Sequence, residues 1–135
     1  MNWSVDHIGI AVKDLKKAAS FYLGLPGHLL VEDEENLEHQ VRIKFISCGS
    51  SLIELMEPSS PTSSLSTFLT KRGEGLHHIC YRVESVTAEL AKFKQQGARL
   101  IDEVPRTGSR GMQIAFIHPH ASQSGVLIEL CSKSE

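Results

Sequence analysis

Cysteine, aromatic residues and unbroken apolar stretches are all scarce in this sequence, and each shortage closes off a class of protein. Cys48, Cys80 and Cys131 are the three cysteines in 135 residues. Their number is odd and no CxxC brings two together, so neither a disulfide framework nor a thiolate zinc site is predicted. A reducing, cytoplasmic setting is the expected one. No apolar run approaches the roughly 20 residues of a membrane span. The opening MNWSVDHIGIAV lacks a basic leader and sets Asp6 and His7 inside its first apolar stretch, which predicts no secretory signal. Charge excess is missing as well: 14 Lys and Arg stand against 16 Asp and Glu, for a net charge of −2. That balance argues against a nucleic-acid partner. An apolar fraction of 41% and a charged fraction of 22% are ordinary for a globular chain, and the length suits one domain, 1–135, rather than two side by side.

What the sequence does contain is a copy of itself. VDHIGIAV at 5–12 returns as LHHICYRV at 76–83, and LIEL at 52–55 returns unchanged at 127–130. After the first motif of each half comes a helix signal. Asp14 caps Leu15, Ala18, Ala19 and Tyr22 before Gly24; Ser85 caps Val86, Leu90 and Phe93 before Gly97. Three strand candidates follow each helix, at 29–35, 41–48 and 52–57, then at 99–104, 112–118 and 126–131. The clearest is 41–48, where Val41, Ile43 and Phe45 alternate with Arg42 and Lys44. The chain therefore reads as two βαβββ modules, about 4–57 and 76–132. A linker at 58–75 carries a short helix around Leu65, Phe68 and Leu69. A module of this size cannot bury a sheet face alone. The expected fold is α+β, with tandem modules forming a pseudo-twofold mixed β-sheet around a cleft.

The repeat carries chemistry at matching places. His7 and His78 are equivalent in the first strand of each half, and Glu54 and Glu129 in the last. A glutamate between Ile and Leu faces away from both by the period of two, so Glu54 and Glu129 look to the side opposite their apolar neighbours. A lone glutamate of this kind belongs on a solvated outer face, but the paired occurrence beside equivalent histidines weakens that reading. Imidazole nitrogens and carboxylate oxygens suit one divalent ion per chain, Co, Zn, Ni, Mn or Fe, with positions left open for substrate. His77 lies on the other face of its strand from His78 and is expected to be structural.

These motifs resemble the vicinal oxygen chelate superfamily, the glyoxalase, bleomycin resistance and dioxygenase group, over nearly the whole chain. Within it the likeness is greatest to the methylmalonyl-CoA epimerases, through VDHIGIAVKDLKKAASFY, LIELMEP, FLTKRGEGLHHIC, IAFIHPH and GVLIEL. The resemblance implies metal ligands at His7, His78 and Glu129, with Glu54 at the fourth position. It implies Glu38 and Glu129 as the two acid/base groups, an acyl-CoA or other carbonyl substrate, and a homodimer. It also implies a reaction in which a proton is exchanged through an enolate that the metal stabilises. Arg106 and Arg110, flanked by Gly108 and Gly111, and His118, ending a strand before Pro119, are candidates to bind the substrate. Residues 105–124 depart from the epimerase pattern. Three other readings share the fold: a glyoxalase I-like lyase, an antibiotic-binding module without catalysis, and an extradiol-type oxygenase, for which the chain is short.

Overall fold

The computed structural model describes residues 2–133. Residues 7–77 form one compact unit. The second unit takes in the chain from His78 onward together with the residues ahead of His7.

In the first unit, β1 (Ser4–Ala11) leads to Asp14, whose carboxylate accepts the Lys17 N–H at 3.1 Å and starts α1 (Leu15–Leu23). Strands β2 (Leu29–Asn36), β3 (Val41–Cys48) and β4 (Ser51–Pro58) then run as antiparallel neighbours, and β4 lies parallel to β1. Helix α2 (Ser64–Arg72) begins at the Ser63 cap and stops at Gly73, whose φ of 78° suits glycine. Residues directly across a ladder point to the same side, and this sorts the apolar residues into two layers. Ile46 and Leu55 pack with Val12, Leu15 and Ala19 against α1. Ala11, Val41, Ile43, Phe45 and Met56 form the other layer, with Leu65 of α2. The alternation read from 41–45 is what divides them.

The second unit repeats this order. Strand β5 (Gly75–Arg82) is followed by Ser85, which accepts the Ala88 N–H at 3.2 Å and opens α3 (Val86–Gln95). Then come β6 (Arg106–Thr107), β7 (Gln113–Ile117), α4 (Pro119–Ser122) and β8 (Leu127–Ser132), in the lateral order β5-β8-β7-β6. Again the first and last strands of the repeat are parallel and the others antiparallel. Val83, Val86, Leu90, Ala115, Ile117 and Leu130 make the core beneath α3. The fold is α+β with mixed pairing, as the repeated pattern implies.

One local expectation needs correction, and one element was not foreseen. The strand expected at 99–104 is reduced to a single bridge from Leu100 to Ile117, and pairing resumes only at β6. The Phe116 carbonyl accepts from both Ile101 and Asp102 at 3.1 Å, while the Asp102 carboxylate accepts the Phe116 N–H at 2.8 Å. A side chain competing for ladder bonds in this way ends regular pairing, and Pro105 offers no donor. The unforeseen element is α4, within the 105–124 stretch that departs from the epimerase pattern. His118 Nδ1 accepts the His120 N–H at 3.0 Å and Pro119 sits in the first turn, so the extra residues are spent on one helical turn.

Leu90 is buried in the second core, so Leu90→Ala should cost about 2–5 kcal/mol of unfolding free energy. Asp14→Ala, which removes only a cap, should cost about 1 kcal/mol. Urea titrations read both, and equal losses would contradict this division between core and cap.

Candidate metal centre

Within the first unit, the parallel register of β1 on β4 sets His7 beside Leu52 and Gly9 beside Glu54. His7 and Glu54 thus project from the same face, two residues apart along the ladder. His7 Nε2 lies 3.3 Å from Glu54 Oε1. Phe45, directly across from Glu54 on β3, meets the His7 ring edge-on with centroids 5.3 Å apart.

The second unit builds the same group from its own strands. The register of β5 on β8 sets His78 beside Leu127 and Cys80 beside Glu129, and Phe116 of β7 lies across from Glu129. His78 Nε2 is 3.1 Å from Glu129 Oε1, and the Phe116 ring meets His78 edge-on at 6.0 Å. All four polar side chains are withdrawn from solvent, with His7, Glu54, His78 and Glu129 exposed by 3%, 5%, 2% and 6%. Burying a carboxylate is costly unless charge compensates it. Imidazole nitrogen and carboxylate oxygen are the donors that borderline divalent metals take, so these four buried side chains are of a kind that could hold one. The donor set fits a metal and has no need of thiolate.

Phe45 and Phe116 were not singled out from sequence. The signal was present, because Phe-Ile recurs at 45–46 and 116–117, each time ahead of an LIEL strand. Cys80 stands across the ladder from Glu129. Burial first, then a hydrogen bond with Cys131 and the negative charge of Glu129, push the Cys80 thiol far up. His77 turns to the other side and packs its ring on Phe68 at 4.7 Å, in keeping with a structural role.

Residues 6–116 match the family model of the Glyoxalase/Bleomycin resistance protein/Dioxygenase superfamily. The chain is 35% identical over 127 residues to the mitochondrial methylmalonyl-CoA epimerase of Homo sapiens, covering 93% of this chain and 72% of that one. The chain belongs to the methylmalonyl-CoA epimerase family. It is also similar to the uncharacterized protein YqjC of Bacillus subtilis, at 42% identity over 127 residues, 94% of this chain and 90% of that protein. Among solved structures, a substituted Streptomyces coelicolor methylmalonyl-CoA epimerase in complex with 2-nitronate-propionyl-CoA matches with a TM-score of 0.90. The identity there is 35%, over 97% of this chain and 94% of that one.

In this member of the family, the other residues picked out from sequence have varied surroundings. Glu38 is exposed in the turn at 37–40, beyond the end of β2, where the Asn36 side chain accepts the His39 N–H at 2.9 Å. Arg110, in a left-handed conformation with φ 60°, forms an ion pair with buried Asp6, and Arg82 Nε approaches the same carboxylate at 3.4 Å. Burial lowers the proton affinity of the Arg110 guanidinium, but the charge and hydrogen bond of Asp6 outweigh it and the net direction is up. Arg106 lies 3.6 Å from the Asp102 carboxylate and stacks over Phe116 at 5.4 Å. Partial desolvation, then Arg99 and His120, hold the His118 imidazole below its usual range, which keeps Nδ1 free to accept from His120.

Two outcomes follow. Arg110→Met strands the Asp6 carboxylate and should cost about 3 kcal/mol or more, with most of the loss recovered in the double variant with Asp6→Asn; thermal or urea unfolding of the three proteins reads the coupling, and additive losses would deny it. Because the folded His118 is harder to protonate than the unfolded one, its cap is intact above the usual histidine range and is lost as pH falls through the lowered folded value. An NMR titration of His118 with the His120 amide shift should show both changing together, and independent titration would exclude the cap.

Proposed function

We propose that the chain interconverts the two epimers of methylmalonyl-CoA by removing and returning the proton on the carbon between thioester and carboxylate. The reading is carried by one observation, the twofold occurrence of a buried imidazole–carboxylate pair under a phenylalanine, His7 and Glu54 with Phe45, and His78 and Glu129 with Phe116. Family membership supports the choice of an epimerase among the chemistries that this fold can host. Two donors alone hold a divalent ion poorly, and we assign both pairs to one ion per chain. When bound, such an ion supplies Lewis-acid polarisation of a substrate oxygen, worth several kcal/mol as charge develops there.

The protein's own groups have the remaining work. The α-proton of a thioester is weakly acidic, so a carboxylate must stand within hydrogen-bond reach of it and water must be kept away. Glu129 is the proposed acid/base group for one face of the carbon. The Phe45 and Phe116 rings hold the two imidazoles edge-on, which fixes the direction in which each Nε2 points. Inversion needs a second carboxylate for the other face. Arg106, beside the Phe116 ring and half exposed, is the cation best placed to meet substrate phosphate or carboxylate, since Arg110 is already engaged by Asp6. We also read the exposed Leu29, Leu30 and Val31 of β2 as the surface of a homodimer.

The deciding experiment is incubation of each methylmalonyl-CoA epimer in deuterium oxide with metal-loaded protein. Expected are deuterium at the α-carbon and formation of the other epimer, while methylglyoxal with glutathione gives no thioester; the reverse pattern would make the protein a glyoxalase-type lyase. Chelation should abolish turnover and added metal restore it, and Glu129→Gln should lower kcat by about 10²–10⁴-fold. Metal analysis should find one equivalent per chain, lost in both His7→Ala and His78→Ala. Two equivalents, with each variant losing one, would mean that each pair binds alone.

A further inference from the structure

The second carboxylate can be sought in the first unit by following the ladder outward from Glu54. Phe45 lies across from Glu54, and Glu32 across from Phe45; one step along, Ile43 lies across from Met56, and Glu34 across from Ile43. Paired residues share a face, so Glu34 projects from the side of the sheet that carries Ile43, Phe45, Glu54 and His7. Ile43, Phe45 and Met56 on that side belong to the apolar layer with Val41 and Ala11, and Glu32, across from Phe45, is exposed whereas Glu34 is partly buried. Glu34 Oε1 is buried there and accepts no hydrogen bond.

Its neighbours on the strand are treated differently. Asp33 and Glu35 point to the opposite face, where β3 sets Lys44 and Arg42 across from them, and Lys44 Nζ pairs with Asp33 at 2.5 Å. Acidic residues on the outer face are therefore met by cations, whereas Glu34 is met by Ile43. A carboxylate left against aliphatic carbon with an oxygen unpaired is a poor way to stabilise a sheet, and a good way to keep a base weakly solvated and ready. Strands lie about 4.8 Å apart, which puts the backbone at Glu34 about 10 Å across the sheet from that of β4.

We propose that Glu34 is the second acid/base carboxylate, in the role that resemblance had given to Glu38. The inference rests on the epimerase reading above. Glu34 takes the α-proton of one epimer; the C–H electron pair becomes the carbon–carbon π bond of the enolate, and the carbonyl π pair moves to oxygen. Glu129 as the acid returns a proton to the other face, the π pair forms the new C–H bond, and the carbonyl is restored. Glu34 ends protonated and Glu129 ionised, and exchange with solvent resets both.

Glu34→Gln, Glu38→Gln and Glu35→Gln, all metal-loaded, are tested with each epimer separately in deuterium oxide. Glu34→Gln should slow epimerisation at least 100-fold through kcat with little change in KM, and should still exchange the α-hydrogen of one epimer while the other stays inert. Circular dichroism and metal content unchanged from wild type would show that the loss is not one of folding, and Glu34→Asp should recover part of the rate. Glu35→Gln should keep the wild-type rate. Wild-type epimerisation with Glu34→Gln equally fast, or with the loss falling on Glu38→Gln instead, overturns the assignment and leaves the epimerase reading standing. A wild-type protein that exchanges neither epimer sinks both.

Discussion

A carboxylate inside a sheet is costly unless something of opposite polarity is held against it, and for Glu54 and Glu129 the two repeats meet that demand in the same way. In each, the first and last strands lie parallel, so that a histidine near the start of the repeat is brought beside a glutamate some fifty residues later. The contact depends on register: a slip by one residue would turn both side chains to the opposite face and bring Ile53 or Ile128 in their place. Apolar packing secures that register, because Leu55 and Leu130, next to the glutamates, are wholly buried on the helix-covered sides. The imidazole–carboxylate pairs are thus held by hydrophobic contacts on the reverse of the same strands.

Charge elsewhere is allotted by face. Lys44 and Arg42 meet Asp33 and Glu57 on the outer side of the first unit, contacts that are exposed and contribute little individually. Asp6 is the exception, a buried carboxylate answered by Arg110 and approached by Arg82. That arrangement explains why a non-glycine residue takes a left-handed conformation at 110, since the backbone there turns the guanidinium onto Asp6. An arginine between glycines reads in sequence as a mobile hand for substrate; in the fold it is a brace for the strand that carries His7.

The two repeats diverge where their strands are least regular. Asp102 captures the Phe116 amide and shortens the second strand of the later repeat, while α4 lengthens the passage from β7 to β8. These differences leave the histidine, glutamate and phenylalanine positions of the later repeat in the same register relation as in the first. They change the loops around them, which is where members of one fold family acquire separate substrates.

The duplication, the order of elements, both helix caps and the equivalence of His7 with His78 and of Glu54 with Glu129 were all legible in the amino-acid sequence, because short-range periodicity and repetition express local backbone geometry. Strand 99–104 was misread because a propensity for extended structure does not reveal that a nearby side chain will take the ladder's donor. The roles of Arg110, Phe45 and Glu34 lay beyond sequence for a related reason. Phe45 and Glu34 depend on which residue stands across the ladder, and Arg110 on an ion pair with Asp6 from the other end of the chain; both are set by packing between segments distant in the chain, of which a linear pattern carries no record.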